Sequence, residues 1–384
     1  MSWQSCRLGD VMTLKRGHDL PEHSRLDGDV PVVSSSGITG WHKEAKAKAP
    51  GVVTGRYGTI GEVFYLEQDY WPLNTALYVI DFKGNDPKFS AYFLRNTLKG
   101  YQSEKAAVPG VDRNVLHEIK VRAPDRTTQL RIRDQLAAYD DLIENNRRRM
   151  ALLEESARLL YQEWFVRLRF PGHEHTRIVD GVPEGWRTVS LAEITSKIGS
   201  GFTPRGGEAS YLAEGTPLIR SMNVYDDIFD ETGLAFLSED HAAMLAGVTV
   251  ESKDILLNIT GASVARCCMA PERYLPARVN QHVMIVRVDP NKADPFFVHK
   301  AINSDERKRQ LLSYAQKGST REALTKEGMA RFEVTIPTEA LMRQFGEFAA
   351  LSFRQRETLA LQNQKLRAAR DLLLPRLMSG EITV

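Results

Sequence analysis

Residues 126–164 read RTTQLRIRDQLAAYDDLIENNRRRMALLEESARLLYQEW. Apolar or near-apolar side chains recur in this stretch in alternating steps of four and three residues, from Ile132 to Trp164. This spacing is typical of a helix that packs along a coiled-coil seam. At about 1.5 Å per residue, a helix of roughly 40 residues is about 60 Å long. We therefore expect a spacer helix that needs a partner, because it is too long for the inside of a small domain.

The expected partner is a second helical pattern that follows Pro337. Its apolar positions are Leu341, Phe345, Phe348, Leu359, Leu366 and Leu373, with Ser352 and Gln355 weakening the middle. An antiparallel pairing would bury both stripes and set two globular units at opposite ends. Asn146, at a seam position of the first helix, is either a register-setting polar residue or a water-exposed break. The alternative for both helices is ordinary packing on their own domains.

The stretches before each helical pattern repeat one another, which predicts an old internal duplication. Trp3, Leu8 and Pro21 recur at identical spacing as Trp186, Leu191 and Pro204, and the triplet Gly110, Arg113, Leu116 recurs as Gly318, Arg321, Leu324. The other matched pairs are Pro31–Val33 with Pro217–Ile219, Val52–Gly61 with Ile255–Val264, Asn74 with Asn280, and Asp86-Pro87 with Asp294-Pro295. Each copy ends in a short strand pattern closed by a proline, Pro124 or Pro337.

These patterns predict an α+β protein. We expect two similar α/β domains separated by two long antiparallel helices in a coiled coil, with an internal pseudo-twofold repeat. The expected boundaries are 1–124 for the first domain, 125–170 for the central helix, 171–337 for the second domain with its entry linker, and 338–384 for the C-terminal helix.

Composition excludes some classes of protein and leaves others open. The 384 residues are 42% hydrophobic and 26% charged, with a formal net charge of +2, so any basic surface has to be local. Three cysteines, two of them adjacent, make a poor disulfide framework and favour the cytoplasm. No stretch approaches the roughly 20 apolar residues of a membrane span.

The sequence also lacks the motifs that an enzyme acting on DNA would be expected to carry. It has no phosphate-binding GxxxxGK[ST] loop, and the glycines at 55, 58 and 61 are not followed by a dinucleotide-binding helix. His173 and His175 have no further ligands at metal-site spacing and fit a solvated linker. The Asp140-Asp141 pair fits a solvated helix face. A binding module is favoured over an enzyme.

With these features in place, the chain resembles the specificity subunits of type I restriction-modification systems over essentially its whole length. The segment from Tyr161 to Gly172, which reads YQEWFVRLRFPG, and the ending Leu372–Gly380, which reads LLLPRLMSG, carry the resemblance most sharply. The opening theme of Trp3, Leu8 and Gly17 adds to it.

The resemblance implies that each domain reads one half of a split DNA site. It further implies that the long helices are a ruler and a dock for two methyltransferase subunits, to which motor-nuclease subunits can add. No cofactor is then expected in this chain, whereas S-adenosylmethionine, ATP and magnesium belong to the partners. A fixed ruler predicts half-sites about one helical turn, roughly 34 Å, apart. Because the two domains differ in sequence, the site should be asymmetric.

Base reading calls for donors and acceptors on loops that can enter the major groove. The candidates are polar residues that mostly follow predicted strands: Ser34, Ser35, Ser36, Arg56, Tyr57 and Arg113 in the first domain, and Arg205, Arg220, Ser221, Asn223, Thr260, Ser263, Gln281, His282 and Arg321 in the second. Arg113 and Arg321 belong to the repeated triplet and are better suited to phosphate contact or to bracing the domain. For Asn74 and Asn280 a structural turn bond is favoured.

The aromatic cluster Tyr161, Trp164 and Phe165, together with Leu373 in the second helix, is predicted to bind a partner subunit. A core contact at the end of the helix is the close alternative for the aromatic cluster. Two other functions remain open for the whole chain: a repeat-containing scaffold that binds protein, and a DNA-modifying enzyme with unrecognised catalytic residues.

Overall fold

The computed structural model describes residues 3–56, 61–99, 112–204, 206–316 and 323–384. The chain divides into two compact units. Unit 1 comprises Met1–Asn145 and Gln362–Val384, and unit 2 comprises Asn146–Leu361. Each unit therefore contains part of both long helices. The mixed α/β content and the long helices predicted from the sequence are present.

Unit 1 contains nine of the described strands and three short helices before the first long helix. The strands are β1 Trp3–Arg7, β2 Thr13–Arg16, β3 Val30–Ser34, β4 Gly37–His42, β5 Gly51–Gly55, β6 Val63–Leu66, β7 Trp71–Pro72, β8 Ala76–Asp81 and β9 Lys120–Pro124. The helices are α1 Leu8–Val11, α2 Pro87–Leu98 and α3 Arg113–His117, with a 3-10 turn at Glu22–Ser24. The first long helix, α4, spans Arg126–Tyr161 and is shared between the units.

The strands of unit 1 form three sheets. One is antiparallel with the order β2-β8-β5-β6, the second has the order β4-β3-β7 with β3 and β7 parallel, and β1 pairs with β9. Helix α2 begins where Asp86 accepts a hydrogen bond from the Phe89 N–H and Pro87 occupies the first turn. Its buried face packs on the sheet, so one core joins the sheet to α2.

Unit 2 contains the remaining twelve described strands. They are β10 Ile178–Val179, β11 Val182–Pro183, β12 Arg187–Ser190, β13 Thr195–Ser200, β14 Thr216–Ile219, β15 Ala235–Leu237, β16 Thr249–Val250, β17 Ile255–Asn258, β18 Cys267–Met269, β19 Ala277–Val279, β20 Val283–Val288 and β21 Glu333–Ile336. Its helices are α5 Leu191–Ile194, α6 Glu239–Met244, α7 Pro295–Asn303, α8 Asp305–Gln316, α9 Lys326–Ala330 and, shared with unit 1, the second long helix α10, Glu339–Ser379.

Shorter helical turns of unit 2 lie mainly in its loops. A π-helical turn, Gln162–Val166, continues α4 directly. The 3-10 turns are His173–His175, Gly207–Ser210, Ser221–Asn223, Ala246–Val248, Gly261–Ser263 and Glu272–Tyr274.

The sheets of unit 2 have the orders β13-β20-β17-β18, β15-β14-β19-β16, β12-β21 and β10-β11. The first is antiparallel, and β14 lies parallel to β19 in the second. Asp294 begins α7 by accepting a hydrogen bond from the Phe297 N–H, with Pro295 in the first turn. The core of this unit packs α7 between the sheet and the long helices.

In each unit the two long helices run antiparallel. In unit 1, Asn363 donates from Nδ2 to the Ile143 carbonyl at 3.2 Å, and Arg370 donates from Nη1 to Asp140 at 2.5 Å. In unit 2, Arg356 donates to Glu154, and the Tyr161 and Phe345 ring centroids are 5.7 Å apart. Residues of increasing number along α4 contact residues of decreasing number along α10, so the two helices are antiparallel.

The predicted seam of α10 needs one correction. Phe348 is 40% exposed, whereas Ala349 beside it is buried. From Met342 onward, the inward positions include Phe345, Ala349 and Ser352, which are buried. The same steps of three and four residues, continued along α10, reach Arg356 and Arg370, which pair with carboxylates of α4. Phe348 was misassigned because an apolar side chain was favoured over the smaller alanine at the contact position.

A buried charge network joins α7 to both long helices in unit 2. Lys300 donates to Glu154 and, at 2.8 Å, to Asp227, while Arg356 donates to Glu154 and to the Asp227 carbonyl. Lys300 is 7% exposed. Burial alone would raise the pKa of Asp227, but His299 and Lys300 lower it to about 2. The adjacent His299 is neutral near pH 7, because burial lowers its pKa to about 4.

Unit 1 has a corresponding but smaller junction. Asp140 on α4 accepts from the Tyr92 hydroxyl of α2 at 2.5 Å and from Arg370 of α10 at 2.5 Å. Burial, followed by the hydrogen bond to Asp140, raises the pKa of Tyr92, so the hydroxyl keeps its proton and acts as the donor. The expectation that the Asp140-Asp141 pair is a solvated face therefore fails for Asp140, which is bonded on both sides.

Asn146 is 6% exposed, so the water-exposed break is not what the structure contains at this position.

No helix in the described ranges has the length and apolar character to cross a membrane.

Glu154→Gln should destabilise unit 2 by about 3 kcal/mol, because it leaves the buried Lys300 and the largely buried Arg356 without their shared carboxylate. The matched control is Glu155→Gln, at a side chain that is 47% exposed and forms an ion pair with Arg158; a change below about 1 kcal/mol is expected there. Urea unfolding, with hydrogen exchange across Pro295–Asn303 as the local readout, measures both. Equal effects of the two substitutions would contradict a structural role for the network.

Candidate nucleic-acid interface

In unit 1 the polar loops predicted to read bases converge on residues 72–76. The Leu73 N–H donates to the Val33 carbonyl at 2.8 Å, the Arg56 N–H to Thr75 at 3.0 Å, and the Asn74 N–H to His18 at 3.0 Å. These bonds bring together the ends of β2, β3 and β5 and the start of β8. We call this the loop edge of unit 1; it comprises 16–19, 34–36, 56 and 72–76.

The loop edge of unit 1 contains Arg16, Arg56 and the carboxylate of Asp19, and Lys15 and Lys46 lie close to it. Burial and then the positive charges of Lys15 and Lys46 lower the pKa of His18. Arg16 adds a guanidinium that donates to the Asn74 carbonyl at 3.4 Å. A local positive potential of this kind favours contact with a phosphate backbone.

Unit 2 has a loop edge of the same kind, at residues 200–204, 219–221, 258–263 and 280–282. The Gly201 N–H donates to the Asn280 carbonyl at 3.1 Å, and the Asn280 N–H donates to Ile219 at 3.2 Å. The Ile259 N–H donates to the His282 carbonyl at 3.0 Å. The ends of β13, β14 and β17 and the start of β20 therefore meet, which brings Ser221, Thr260, Ser263, Gln281 and His282 to one edge.

A glycine after the first strand of each main sheet permits this convergence. A Cβ on Gly17 would lie 2.1 Å from the Leu73 carbonyl oxygen, and one on Gly201 would lie 1.8 Å from that of Val279. No side chain fits at those distances, so both positions require glycine. This explains physically the Gly17 of the opening theme.

Three predicted reading residues are held inside their units instead. Asn223 is fully buried; its Oδ1 accepts from the Arg220 N–H, and its Nδ2 donates to the Asp230 carbonyl at 2.9 Å. Ser34 is 8% exposed and bonds to Ser36 and to the Gly37 carbonyl. Both side chains therefore shape turns and are poorly placed to contact bases.

Arg220 is the third such residue. Its guanidinium donates to Glu208 at 3.1 Å and to the Gly233 carbonyl at 2.7 Å, and it lies over the Tyr211 ring. An arginine whose Nη1 and Nη2 are both bonded within its own unit is poorly placed to read guanine. The remaining candidates of the unit 1 loop edge differ in access, since Ser35 is half-buried, Ser36 is exposed and Arg56 is half-buried.

Arg113 is placed apart from these loops. It is exposed in the first turn of α3, where Asp112 caps the helix, and His117 of the same helix accepts from the Leu14 N–H at 2.9 Å. It remains suited to phosphate contact or bracing. Tyr57, Arg205 and Arg321 lie outside the described residues.

The predicted partner-binding aromatics are half-buried and pack against the core of unit 2. The Phe165 ring centroid lies 4.9 Å from that of Phe297 and 5.2 Å from that of Phe345, and Trp164 packs against the same cluster. The structure thus favours the alternative, a core contact at the end of the helix. Leu373 is likewise packed against the core of unit 1, while Leu372 is 71% exposed.

Metal chemistry finds no support among the described side chains, which contain no group of three or more His, Cys, Asp or Glu residues placed to hold an ion. His173 is held by a contact of its Nδ1 with the Phe170 carbonyl, at 2.8 Å.

Sequence reasoning missed two residues of the loop edges. Thr203 donates its hydroxyl proton to Gln281, and Asp19 accepts from Asn74. Both follow the first sheet strand of their unit, so their position near the loop edge was a usable signal. The favoured turn role of Asn280 agrees with its bond, since Oδ1 accepts from the His282 N–H at 3.0 Å.

Comparison with known proteins gives a consistent family. Residues 1–155 match the family described as type I restriction modification DNA specificity domain. The chain is 24% identical over 308 residues to the type I restriction enzyme MjaIX specificity subunit of Methanocaldococcus jannaschii, covering 76% of this chain and 68% of the relative. It is 20% identical over 345 residues to the HindI specificity subunit of Haemophilus influenzae, covering 73% of each.

A solved structure supports the fold. The type I restriction-modification S subunit from M. genitalium aligns with a TM-score of 0.61 at 16% identity, covering 98% of this chain and 96% of that one. The resemblance predicted from the sequence is thereby confirmed.

Trp164→Ala should now lower the stability of unit 2 by about 2–3 kcal/mol, because a partly buried aromatic leaves the core. Leu152→Ala on the same helix, at a side chain that is 66% exposed, is the control and should change stability by less than about 0.5 kcal/mol. Thermal unfolding of the isolated chain measures both. An unchanged midpoint for Trp164→Ala would restore its prediction as a partner-binding residue.

Proposed function

We propose that the chain reads a split, asymmetric DNA site, with one unit on each half-site, because residues 1–155 match the type I restriction modification DNA specificity domain and the chain is similar to type I specificity subunits. The carrying observation is that both units gather their polar loops at the same edge of a sheet with the same connectivity. In unit 1 the order is β2-β8-β5-β6 and in unit 2 it is β13-β20-β17-β18.

The proposed duplication is supported by further correspondences between the units. The parallel pair β3-β7 has a counterpart in β14-β19, and the pair β1-β9 has one in β12-β21. Tyr92 and Lys300, which bond the acidic residues of α4, both lie six residues after the aspartate that caps their helix. Two diverged copies of one unit are suited to bind two half-sites that differ in sequence.

The long helices would serve as the spacer in this proposal. Residues 1–124 and 171–337 form the two reading domains, and 125–170 and 338–384 form the helices that set their spacing. A fixed helical pair holds the half-sites about one turn of DNA, roughly 34 Å, apart, with an unread gap between them. In the cytoplasm, two methyltransferase subunits and the motor-nuclease subunits would assemble around this chain.

Within this proposal the chain carries no catalytic group and no cofactor. S-adenosylmethionine, ATP and magnesium would be bound by the partners, which methylate and cut. The candidates for base or backbone contact are those exposed or half-exposed at the two loop edges, with Ser36 and Arg56 in unit 1 and Gln281 in unit 2 the best placed, and with Thr260 and His282 beside Gln281.

Deletion of the chain from cells that express the full complex should abolish methylation at one asymmetric, split motif. Genome-wide methylation mapping with and without the chain measures this, and re-expression of the intact chain is the control. If every methylated motif persists after deletion, the proposal fails, and a protein-binding scaffold or a separate enzyme becomes the better account.

A further inference from the structure

One connected cluster of polar side chains stands out at the loop edge of unit 2. Thr203 donates its hydroxyl proton to Gln281 Oε1. Gln281 Nε2 lies 3.1 Å from His282 Nε2, and His282 Nδ1 lies 2.6 Å from the Thr260 hydroxyl. We call these four residues the amide relay; Thr203 follows β13, Thr260 follows β17, and Gln281 and His282 lie in the loop before β20.

The backbone beneath the relay is held firmly. The carbonyl of Asn280 accepts from Gly201, its N–H donates to Ile219, and its side chain accepts from the His282 N–H. The His282 carbonyl accepts from the Ile259 N–H. These bonds on both sides of Gln281 hold its backbone, and the contacts with Thr203 and His282 hold its side chain, so the side chain loses little entropy when it binds.

A count of donors and acceptors shows what the relay leaves for a ligand. A glutamine amide has two N–H donors and two acceptor lone pairs. Its contacts with Thr203 and His282 use one acceptor and one donor, whichever way the amide faces. One N–H and one lone pair remain, and Gln281 is exposed.

A free N–H beside a free carbonyl lone pair is the complement of one base edge in the major groove. Adenine presents the N6 amino group as donor and N7 as acceptor, and a glutamine amide matches them with two bonds. Guanine presents two acceptors at the same edge, and cytosine presents a donor, so neither engages both groups of the amide.

Resting on the proposed function, we propose that Gln281 reads adenine at one position of the half-site bound by unit 2, and that Thr203 and His282 are positioning residues that orient its amide. Asn223, which has the same amide chemistry, is fully buried and bonded within its turn. Arg220 is engaged by Glu208 and Gly233. Among the described candidates of unit 2, Gln281 thus combines exposure with an oriented amide.

The test uses the assembled complex with a randomised DNA library, comparing the wild-type chain with Gln281→Ala. Discrimination for A·T at one position of one half-site should fall about 10- to 100-fold, with the other half-site unchanged. Gln281→Glu should move the preference at that position from adenine toward cytosine, because a carboxylate accepts from the cytosine amino group. Gln355→Ala, the same substitution at an exposed position of α10, is the control and should leave the motif intact.

The positioning role has its own readout. Thr203→Val removes the hydroxyl that orients the amide and should relax the same A·T position by less than Gln281→Ala does. Thr203→Ser keeps the hydroxyl and should restore discrimination, whereas a purely structural role of Thr203 would change stability without relaxing that position.

Two results would overturn the inference while leaving the proposed function intact. If the complex with Gln281→Ala selects the wild-type motif with unchanged discrimination at every position, Gln281 does not read a base. Equal weakening of binding to all library sequences identifies a phosphate contact instead. A wild-type complex that selects no motif at all overturns the proposed function, and this inference with it.

Discussion

A shared carboxylate on the first long helix holds each unit together. Asp140 bonds both Arg370 of the second long helix and Tyr92 of α2, and Glu154 bonds both Arg356 and Lys300 of α7. Two heptads separate Asp140 from Glu154, and the same spacing separates Arg356 from Arg370. A shift of either helix along the other by one turn would separate these charges, so the contacts define the antiparallel register of the two helices. The same carboxylates also attach the sheet of each unit to the helices through α2 and α7.

The loop edges depend on this attachment through the sheet. Helices α2 and α7 each pack on the sheet whose strand ends carry the polar loops, and each is tied to α4 through its sixth residue after the cap. Glycine at positions 17 and 201 then allows the loops to approach within backbone contact distance. Reading of a base by a loop requires a fixed frame, and in each unit a buried ionic or hydroxyl–carboxylate contact contributes to that frame.

Much of this could be predicted from the sequence, because the strongest signals are periodic. The apolar steps from Ile132 onward predicted α4. The Asp-Pro pairs were identified only as matching points of the repeat, and in the structure they begin α2 and α7. Charged residues at the helix contact, such as Arg356, were not predicted, because an arginine is expected to be exposed unless its carboxylate partner is known, and Glu154 is distant in sequence. The same limit applies to Asn223, whose burial depends on a turn that no spacing rule identifies. Trp164 and Phe165 were predicted to bind a partner subunit because the aromatic residues they pack with, Phe297 and Phe345, are distant in sequence.

The central claim is that each unit reads its own half of the site. Its most direct measurement replaces residues 1–124 with the matching segment of a relative that methylates a different motif, and then maps methylation in cells that express the full complex. The account predicts that one half of the split motif changes to that of the relative while the other half and the gap stay the same. A change in both halves, or in the gap alone, would contradict it.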